Sequence, residues 1–316
     1  MILSLIIPAY NVEKYIETCL ISCANQDLPK SEYEIIVIND GSQDASLQIA
    51  ELIAGKEPNI KILSQNNQGQ GVARNNGLEV ATGDYIWFVD SDDWIEKNCL
   101  SSIADICRRT CPDILRISGA DVRNGREIKR FRYKKIGIVE SGRKVMKDGI
   151  EVGPPFSIYR RGFLNDNSLR FYPFLYHEDQ EFTPRAYYRA DRVISEGDVY
   201  YYVRQNPTST TRTTNPKKSF DLLRVIQCLH EFEAGTVHDC SSTFDLLISQ
   251  ALFTSLRQIM LCAKSKQEEF ASALYNNRVL LVHVRHSQRI KQKLFGIVFS
   301  IFPRHILEIY RALARL

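Results

Sequence analysis

Over roughly its first hundred residues the chain alternates short, continuously apolar runs with segments whose apolar positions recur at helical spacing. Leu3-Ser4-Leu5-Ile6-Ile7-Pro8 predicts a buried strand, and Val12 to Asn25 a helix with Ile16, Leu20 and Cys23 on one face. Glu34 to Asn39 predicts a second strand, followed by a helix from Ser42 or Asp44 and a short strand from Ile60 to Leu63. A glycine-rich turn at Gly69 and Gly71, a helix through Leu78, a break at Gly83 and the apolar run Tyr85-Ile86-Trp87-Phe88-Val89 repeat the plan. Strand and helix alternating at this pace predict an α/β fold, a doubly wound and mostly parallel sheet flanked by helices.

Beyond Trp94 the pattern is less regular. A helix is expected from Ile95 to Arg109, a strand from Asp113 to Ser118, then polar hairpin-like segments to Lys135. A break at Pro154-Pro155, a helix after Glu178 and a strand from Tyr200 to Val203 follow. From Pro216 the pattern is helical, with breaks expected near Gly235 and Lys266. The expected organisation is therefore a domain over 1–215, made of a nucleotide-binding half (1–94) and an acceptor region (95–215), with a helical C-terminal region over 216–316.

Composition narrows the class. With 316 residues, 44% hydrophobic and 25% charged, the chain has enough apolar mass for a large core and is neither disordered nor a multi-span membrane protein. Its net charge of +4 is unevenly spread: Arg278 to Leu316 holds eight Lys/Arg against one Glu. Eight cysteines include no Cys-x-x-Cys pair, and no leader-like segment precedes Ile2-Leu3, so reduced thiols in a cytoplasmic setting are expected. The apolar stretch Leu294 to Phe302 is well short of the roughly 20 residues that span a bilayer.

The candidate chemistry sits where the fourth apolar run ends, at Asp90-Ser91-Asp92-Asp93. Three carboxylates at the C-terminal edge of a parallel sheet repel one another without a cation, and oxygen ligands suit Mg²⁺ or Mn²⁺ holding a diphosphate. The alternative is an acidic N-cap for a helix starting at Trp94-Ile95. Three other turns fall on the same edge: Pro8-Ala9-Tyr10-Asn11, Asn39-Asp40-Gly41-Ser42, and Gly69-Gln70-Gly71-Val72-Ala73-Arg74-Asn75. The first lacks the glycine fingerprint of a dinucleotide-binding Rossmann domain, which excludes that reading.

These four segments, with Val37-Ile38 ahead of Asn39 and Asn76-Gly77 after Asn75, resemble family 2 of the inverting glycosyltransferases, of the GT-A fold and bacterial surface-polysaccharide type. The resemblance is close from Ile2 to about Trp94 and looser to about Arg212. It implies a nucleotide-sugar donor, UDP first, bound by Pro8, Ala9, Tyr10, Asn11, Asp40, Ser42, Gly71, Arg74, Asp90 and Ser91. Asp40 would hydrogen-bond the base, Tyr10 would offer a stacking surface and Arg74 would sit near the nucleotide. Asp90 and Asp92 match the family's metal-site motif, with Asp92 the first choice for coordinating Mn²⁺ or Mg²⁺.

Inversion also needs a base for the acceptor hydroxyl. In Tyr176-His177-Glu178-Asp179-Gln180-Glu181-Phe182, Asp179 resembles the acidic residue the family places at a helix start, with Glu178 the competing base and His177 able to position either. A helix-initiating acidic cluster without chemistry is the alternative. Arg204 and Arg212 flank a polar segment that could close over the diphosphate or be plain surface loop.

The tail from Arg304 reads as an amphipathic helix, with Ile306, Ile309, Tyr310 and Leu313 opposite its charges. With Arg289, Lys291 and Lys293 it could lie on the cytoplasmic face of a membrane, which would favour a polyprenyl-diphosphate-linked saccharide acceptor, or pack on the protein's own core. Nucleic acid is not an expected partner. A non-catalytic nucleotide-sugar-binding protein and a nucleotidyltransferase remain the alternatives. The latter generally carries a glycine-rich, basic phosphate loop after its first strand, which is missing here.

Overall fold

Leu3–Ala9 (β1) is buried along its whole length and pairs in parallel with Tyr33–Asn39 (β2) on one side and Tyr85–Phe88 (β4) on the other. The computed structural model describes residues 1–205, 214–236, 239–287, 289–302 and 305–314. The chain divides into two compact units, Met1–Phe174 with Arg185–Ser209, and Leu175–Pro184 with Thr210–Leu316.

In the first unit, Ile16–Ala24 (α1) leads from β1 to β2, and Ser46–Ala54 (α2) from β2 to Ile60–Ser64 (β3). Gln70–Val80 (α3) then returns to β4, giving the order β3-β2-β1-β4. The order reverses between β1 and β4, the kind of switch point beside which open α/β sheets bind ligands. β1 directs its residues alternately to two layers: Leu3, Leu5 and Ile7 join Ile16, Cys19 and Leu20 of α1 in one core. Ile6 faces α3, so closely that a Cβ on Gly77 would stand 2.4 Å from its Cγ2. Pro8 is tolerated in this central strand because its missing N–H falls on the β4 side, beyond the last β1–β4 pair, Ile6 with Phe88.

The rest of the sheet is mixed in direction. Trp94–Ile95 (β5) precedes Leu100–Thr110 (α4), and Ile114–Arg123 (β6) folds back through Asn124-Gly125 into Arg126–Phe131 (β7). Both turn residues have positive φ, 50° and 73°, the conformation that Asn-Gly supplies in a tight hairpin. Gly142–Asp148 (α5), Ser157–Arg160 (β8), Arg161–Asp166 (α6), Glu178–Arg189 (α7) and Val193–Arg204 (β9) complete this part of the sequence. The full sheet of nine strands runs β3-β2-β1-β4-β8-β6-β9-β5, with β7 on β6. β8 is antiparallel to β4, and β9 is parallel to β6.

One expectation fails here and another is extended. Trp94 and Ile95 do not open a helix: they pair with Tyr202 and Tyr201 of β9, and the Trp94 ring stacks on Tyr202 at 5.5 Å. The helix starts at Leu100, where Gln26 Oε1 accepts from the Cys99 and Leu100 N–H groups and Asp27 Oδ1 from Ser101 N–H. Residues over 70 positions upstream cap α4, which removes the N-cap explanation for Asp90, Asp92 and Asp93. The expected strand from Tyr200 to Val203 is longer, because β9 continues back to Val193 through a register shift around Glu196-Gly197-Asp198 that breaks its alternation.

At the opposite end of the parallel strands, the buried Glu34 carboxylate accepts hydrogen bonds from Ser4 Oγ (2.7 Å), Thr82 N and Oγ1 (2.7 Å each) and Lys61 Nζ (2.8 Å). Burial alone would raise its pKa, but these donors more than offset it and hold the group at about 2. A carboxylate depressed in this way stabilises the fold above its unfolded value and loses that contribution as pH falls towards 2. Glu34→Gln is therefore expected to cost roughly 3 kcal/mol at pH 7 in urea unfolding. Its deficit against wild type should shrink below about pH 4.5; a constant deficit down to the lowest pH at which wild type folds would refute this account.

The second unit is helical: Pro216–Thr236 (α8), Ser241–Ile259 (α9), Lys264–Asn276 (α10), Val282–His286 (α11), Ile290–Ile301 (α12) and Ile306–Ala314 (α13). Lys266 lies inside α10, and the break falls at 260–263, where Met260, Leu261 and Cys262 close a turn on Leu256, Gln258 and Ile259. Ile306 and Leu307 are buried, and the Tyr310 ring packs on Phe253 and Phe295. The tail helix thus lays this face on its own unit. The exposed apolar stripe is on α12 instead, at Ile290, Leu294, Ile297 and Ile301. No helix among the described residues is long and apolar enough to cross a membrane. All eight cysteines are free, five of them buried.

Candidate functional site

The four turns converge on one edge of the sheet. Gly41 has φ +73°, and a Cβ there would meet Asn67 N at 2.9 Å, so glycine is what lets this turn close against the segment leading to α3. Asn11 Oδ1 accepts from Gln43 N–H (2.8 Å) while Asn11 N–H donates to Ser42 Oγ (3.2 Å), tying the turn after β1 to the turn after β2. Asn11 and Ser42 thereby frame the edge. Pro8 and Ala9 are buried at its floor, and the Tyr10 ring is exposed.

Asp40 is buried with both oxygens engaged. Oδ1 accepts from Gln65 Nε2 (2.7 Å) and Gln68 N–H (2.8 Å), and Oδ2 from Gly69 N–H (2.8 Å). In this state Asp40 shapes the turn that starts α3, where Gly71 and Arg74 are both buried. Arg74, only 2% exposed, donates from Nη2 to Asp90 Oδ1 at 2.7 Å, and its guanidinium lies 5.3 Å from the Phe171 ring centre. The arginine thus holds one of the carboxylates at the end of β4.

The three carboxylates have distinct surroundings. Asp93 is buried and doubly hydrogen-bonded, by Tyr201 Oη (2.8 Å) and Arg204 N–H (2.7 Å). Tyr201 Oη in turn accepts from Asp90 N–H (3.1 Å), so one tyrosine fixes both ends of the turn. Burial and the charges of Asp92 and Asp90 push Asp93 well above the ordinary carboxylate range. Asp92 differs: among the described residues no side chain donates to its carboxylate, which is left with its own backbone N–H, while its backbone carbonyl accepts from Arg204 Nε at 3.0 Å. Burial, then Asp90, raises it to about 6. A partly exposed carboxylate without a side-chain donor beside a second acid fits a hard divalent cation with oxygen ligands.

Arg204 lies at the end of β9 with its guanidinium 4.8 Å from the Trp94 ring centre and 5.3 Å from that of Tyr15. Arg212 lies outside the described residues. Asp93 belongs to the expected carboxylate cluster but was given no role of its own; Tyr201, Trp94 and Tyr15 were not among the candidates, and Tyr201 and Arg204 enter from more than a hundred residues downstream. The aromatic run Tyr200-Tyr201-Tyr202 is the one sequence signal that could have pointed there.

In the second unit, α7 starts at Glu178 with Glu178, Asp179 and Glu181 in its first turn. Glu178 and Glu181 are buried, whereas Asp179 is partly exposed and accepts from Gln180 N–H at 2.8 Å. The dipole at a helix start favours an ionised carboxylate. His177 precedes it with φ 63°. Burial, then Lys218, lowers its pKa against the pull of Asp221.

The family model for glycosyl transferase family 2 matches residues 4–167, more than half of the chain. The chain belongs to that family. It is 36% identical over 231 residues to the poly(ribitol-phosphate) beta-N-acetylglucosaminyltransferase TarS of Staphylococcus aureus, covering 71% of this chain and 39% of that protein. It is 32% identical over 231 residues to the poly(ribitol-phosphate) beta-glucosyltransferase of Bacillus spizizenii, covering 70% of this chain and 35% of that protein. The chain thus spans well under half the length of these relatives. The crystal structure of S. aureus TarS 1-349 in complex with UDP-GlcNAc matches with a TM-score of 0.76 and 27% identity, over 99% of this chain and 92% of that one. The GT-A architecture with a helical C-terminal region is the fold of this family member.

Proposed function

We propose that this chain is a metal-dependent, inverting glycosyltransferase that moves a sugar from a UDP-linked donor to a hydroxyl of a cell-surface polymer. The observation that carries the reading is Asp92, a partly exposed carboxylate to which no side chain among the described residues donates, beside an Asp90 already held by Arg74. Asp92 is the first ligand for Mn²⁺ or Mg²⁺, with Asp90 beside it. A bound cation would neutralise the donor diphosphate and stabilise the charge on the departing nucleoside diphosphate.

The chain's own residues do the rest. The turns after β1 and β2 present Pro8, Ala9 and Tyr10 to the nucleoside, and Tyr201 and Arg204 hold the carboxylate turn rigid through Asp93. Asp179 takes the proton of the attacking hydroxyl as its oxygen bonds to the anomeric carbon and the bond to the diphosphate breaks on the opposite face. UDP is supported by the bound UDP-GlcNAc of the TarS structure, and a polymer acceptor by the poly(ribitol-phosphate) of the two relatives' names. Titrating UDP calorimetrically with and without Mn²⁺ is the test; binding that ignores Mn²⁺ would overturn the metal role.

A lipid-linked acceptor at the inner face of a membrane is the second reading, and one observation favours it. The exposed apolar stripe of α12 is flanked by the exposed cations Arg285, Arg289, Lys291 and Lys293, the arrangement of a helix that lies in an anionic interface. Sedimentation with vesicles of anionic phospholipid is expected to pull down the chain, and Ile290→Glu with Leu294→Glu to reduce that at least about tenfold. Equal recovery of both proteins would remove the membrane from the account.

A further inference from the structure

Asp245 of α9, His283 of α11, and His230 and Glu233 of α8 form a polar cluster inside the helical unit that glycosyl transfer does not use. His283 is buried, and its Nδ1 lies 2.7 Å from Asp245 Oδ1. A carboxylate there fixes the neutral tautomer with hydrogen on Nδ1, which leaves a lone pair on Nε2. That nitrogen faces His230 Nδ1 at 2.8 Å. Glu233 follows His230 by three residues on the same helix face, and one ligand atom from each of His230, Glu233 and His283 lies within 4.8 Å of the others.

We propose that His230, Glu233 and His283 bind a single borderline divalent cation of the zinc class, with Asp245 orienting His283 from behind. Two neutral imidazoles and one carboxylate are a donor set that zinc prefers over magnesium or calcium. A carboxylate on the remote nitrogen of a ligating histidine is the outer support such sites use. In the metal-free state His230 donates its Nδ1 hydrogen to His283. With the cation bound, His230 takes its other tautomer, its hydrogen on Nε2, so no proton is lost. Zinc ligands at 2.0–2.1 Å in tetrahedral array are about 3.3 Å apart, so the rings must separate by about half an ångström. The partly exposed Glu233, within 4.8 Å of both histidines, closes by up to about 1.5 Å to reach the same spacing. The cation would clamp α8 to α11 within this unit, and water completes its coordination.

The test is zinc content after incubation with Zn²⁺ and desalting, made on the full chain in the Asp92→Ala background so that the sheet-edge carboxylates contribute nothing. One equivalent of retained zinc is expected, with a thermal midpoint raised by about 5 °C. Both effects should vanish in His230→Gln and in Glu233→Gln, whose partly exposed positions make them the variants expected to fold. Asp245→Asn, which removes only the outer support, should weaken zinc binding by about 10–100-fold. No retained zinc in the parent chain, or an undiminished equivalent in folded Glu233→Gln, would overturn the proposal.

Discussion

Asp92→Ala is expected to abolish the Mn²⁺ dependence of UDP binding and to lower sugar transfer by about a thousandfold, which corresponds to about 4 kcal/mol of transition-state stabilisation. The direction follows from the environments of the three acids. Asp93 is committed to Tyr201 and Arg204, and Asp90 to Arg74, so Asp92 is the carboxylate with coordination capacity to spare. The variant should fold at least as well as wild type. Its carboxylate accepts no side-chain hydrogen bond among the described residues, and removing it relieves repulsion with Asp90, which helps raise Asp92 to about 6. A thermal midpoint equal to or above that of wild type, together with lost Mn²⁺ dependence, separates loss of the cation site from loss of the fold. Retained metal-dependent binding would transfer the ligand role away from Asp92.

The parallel half of the sheet could be read from sequence because its three inner strands are buried along their whole length and bounded by turn residues, as in Leu3-Ser4-Leu5-Ile6-Ile7-Pro8 between Ile2 and Tyr10. The antiparallel half could not. β8 is a four-residue strand one residue after Pro154-Pro155, and the Pro155 carbonyl accepts the Trp87 indole N–H at 2.8 Å, a contact between residues 68 positions apart. β5 has only two residues, and its helix-like Trp94-Ile95 becomes strand through pairing with Tyr202 and Tyr201. Tertiary contact there outweighs local preference.

The site divides in the same way. Asn11, Asp40, Arg74, Asp90 and Asp92 fall on short motifs whose positions follow from strand ends, so the residues that converge were visible as a set. The supporting groups were not. Tyr201 reaches Asp93 across 108 positions, and no local pattern marks one tyrosine of three as the one that turns inward. Arg74 was expected to sit near the nucleotide; the structure adds its ion pair with Asp90, a consequence of burying a guanidinium that then needs an acceptor. The amphipathic tail shows the limit of periodicity. Its pattern fits a membrane or a core equally, and the Phe253 and Phe295 rings that receive Tyr310 come from other helices.

Asp179→Asn is expected to lower turnover by about 10²–10⁴-fold while leaving the affinity for UDP unchanged, since a general base acts on the acceptor hydroxyl and not on the donor. The substitution is nearly isosteric, and its amide oxygen can still accept the Gln180 N–H, so the start of α7 should survive it. Glu178→Gln is the informative partner. Glu178 is buried where Asp179 is partly exposed, so its loss should register first as a lower thermal midpoint. A folded Glu178→Gln with full loss of turnover, beside an active Asp179→Asn, would move the base one residue upstream. His177 is the remaining candidate, and burial and Lys218 hold its pKa down, so it stays neutral at pH 7 and does not compete as a cation for the carboxylate. Turnover by Asp179→Asn equal to wild type would remove the base from this helix start, while the donor site tested through Asp92 would stand untouched.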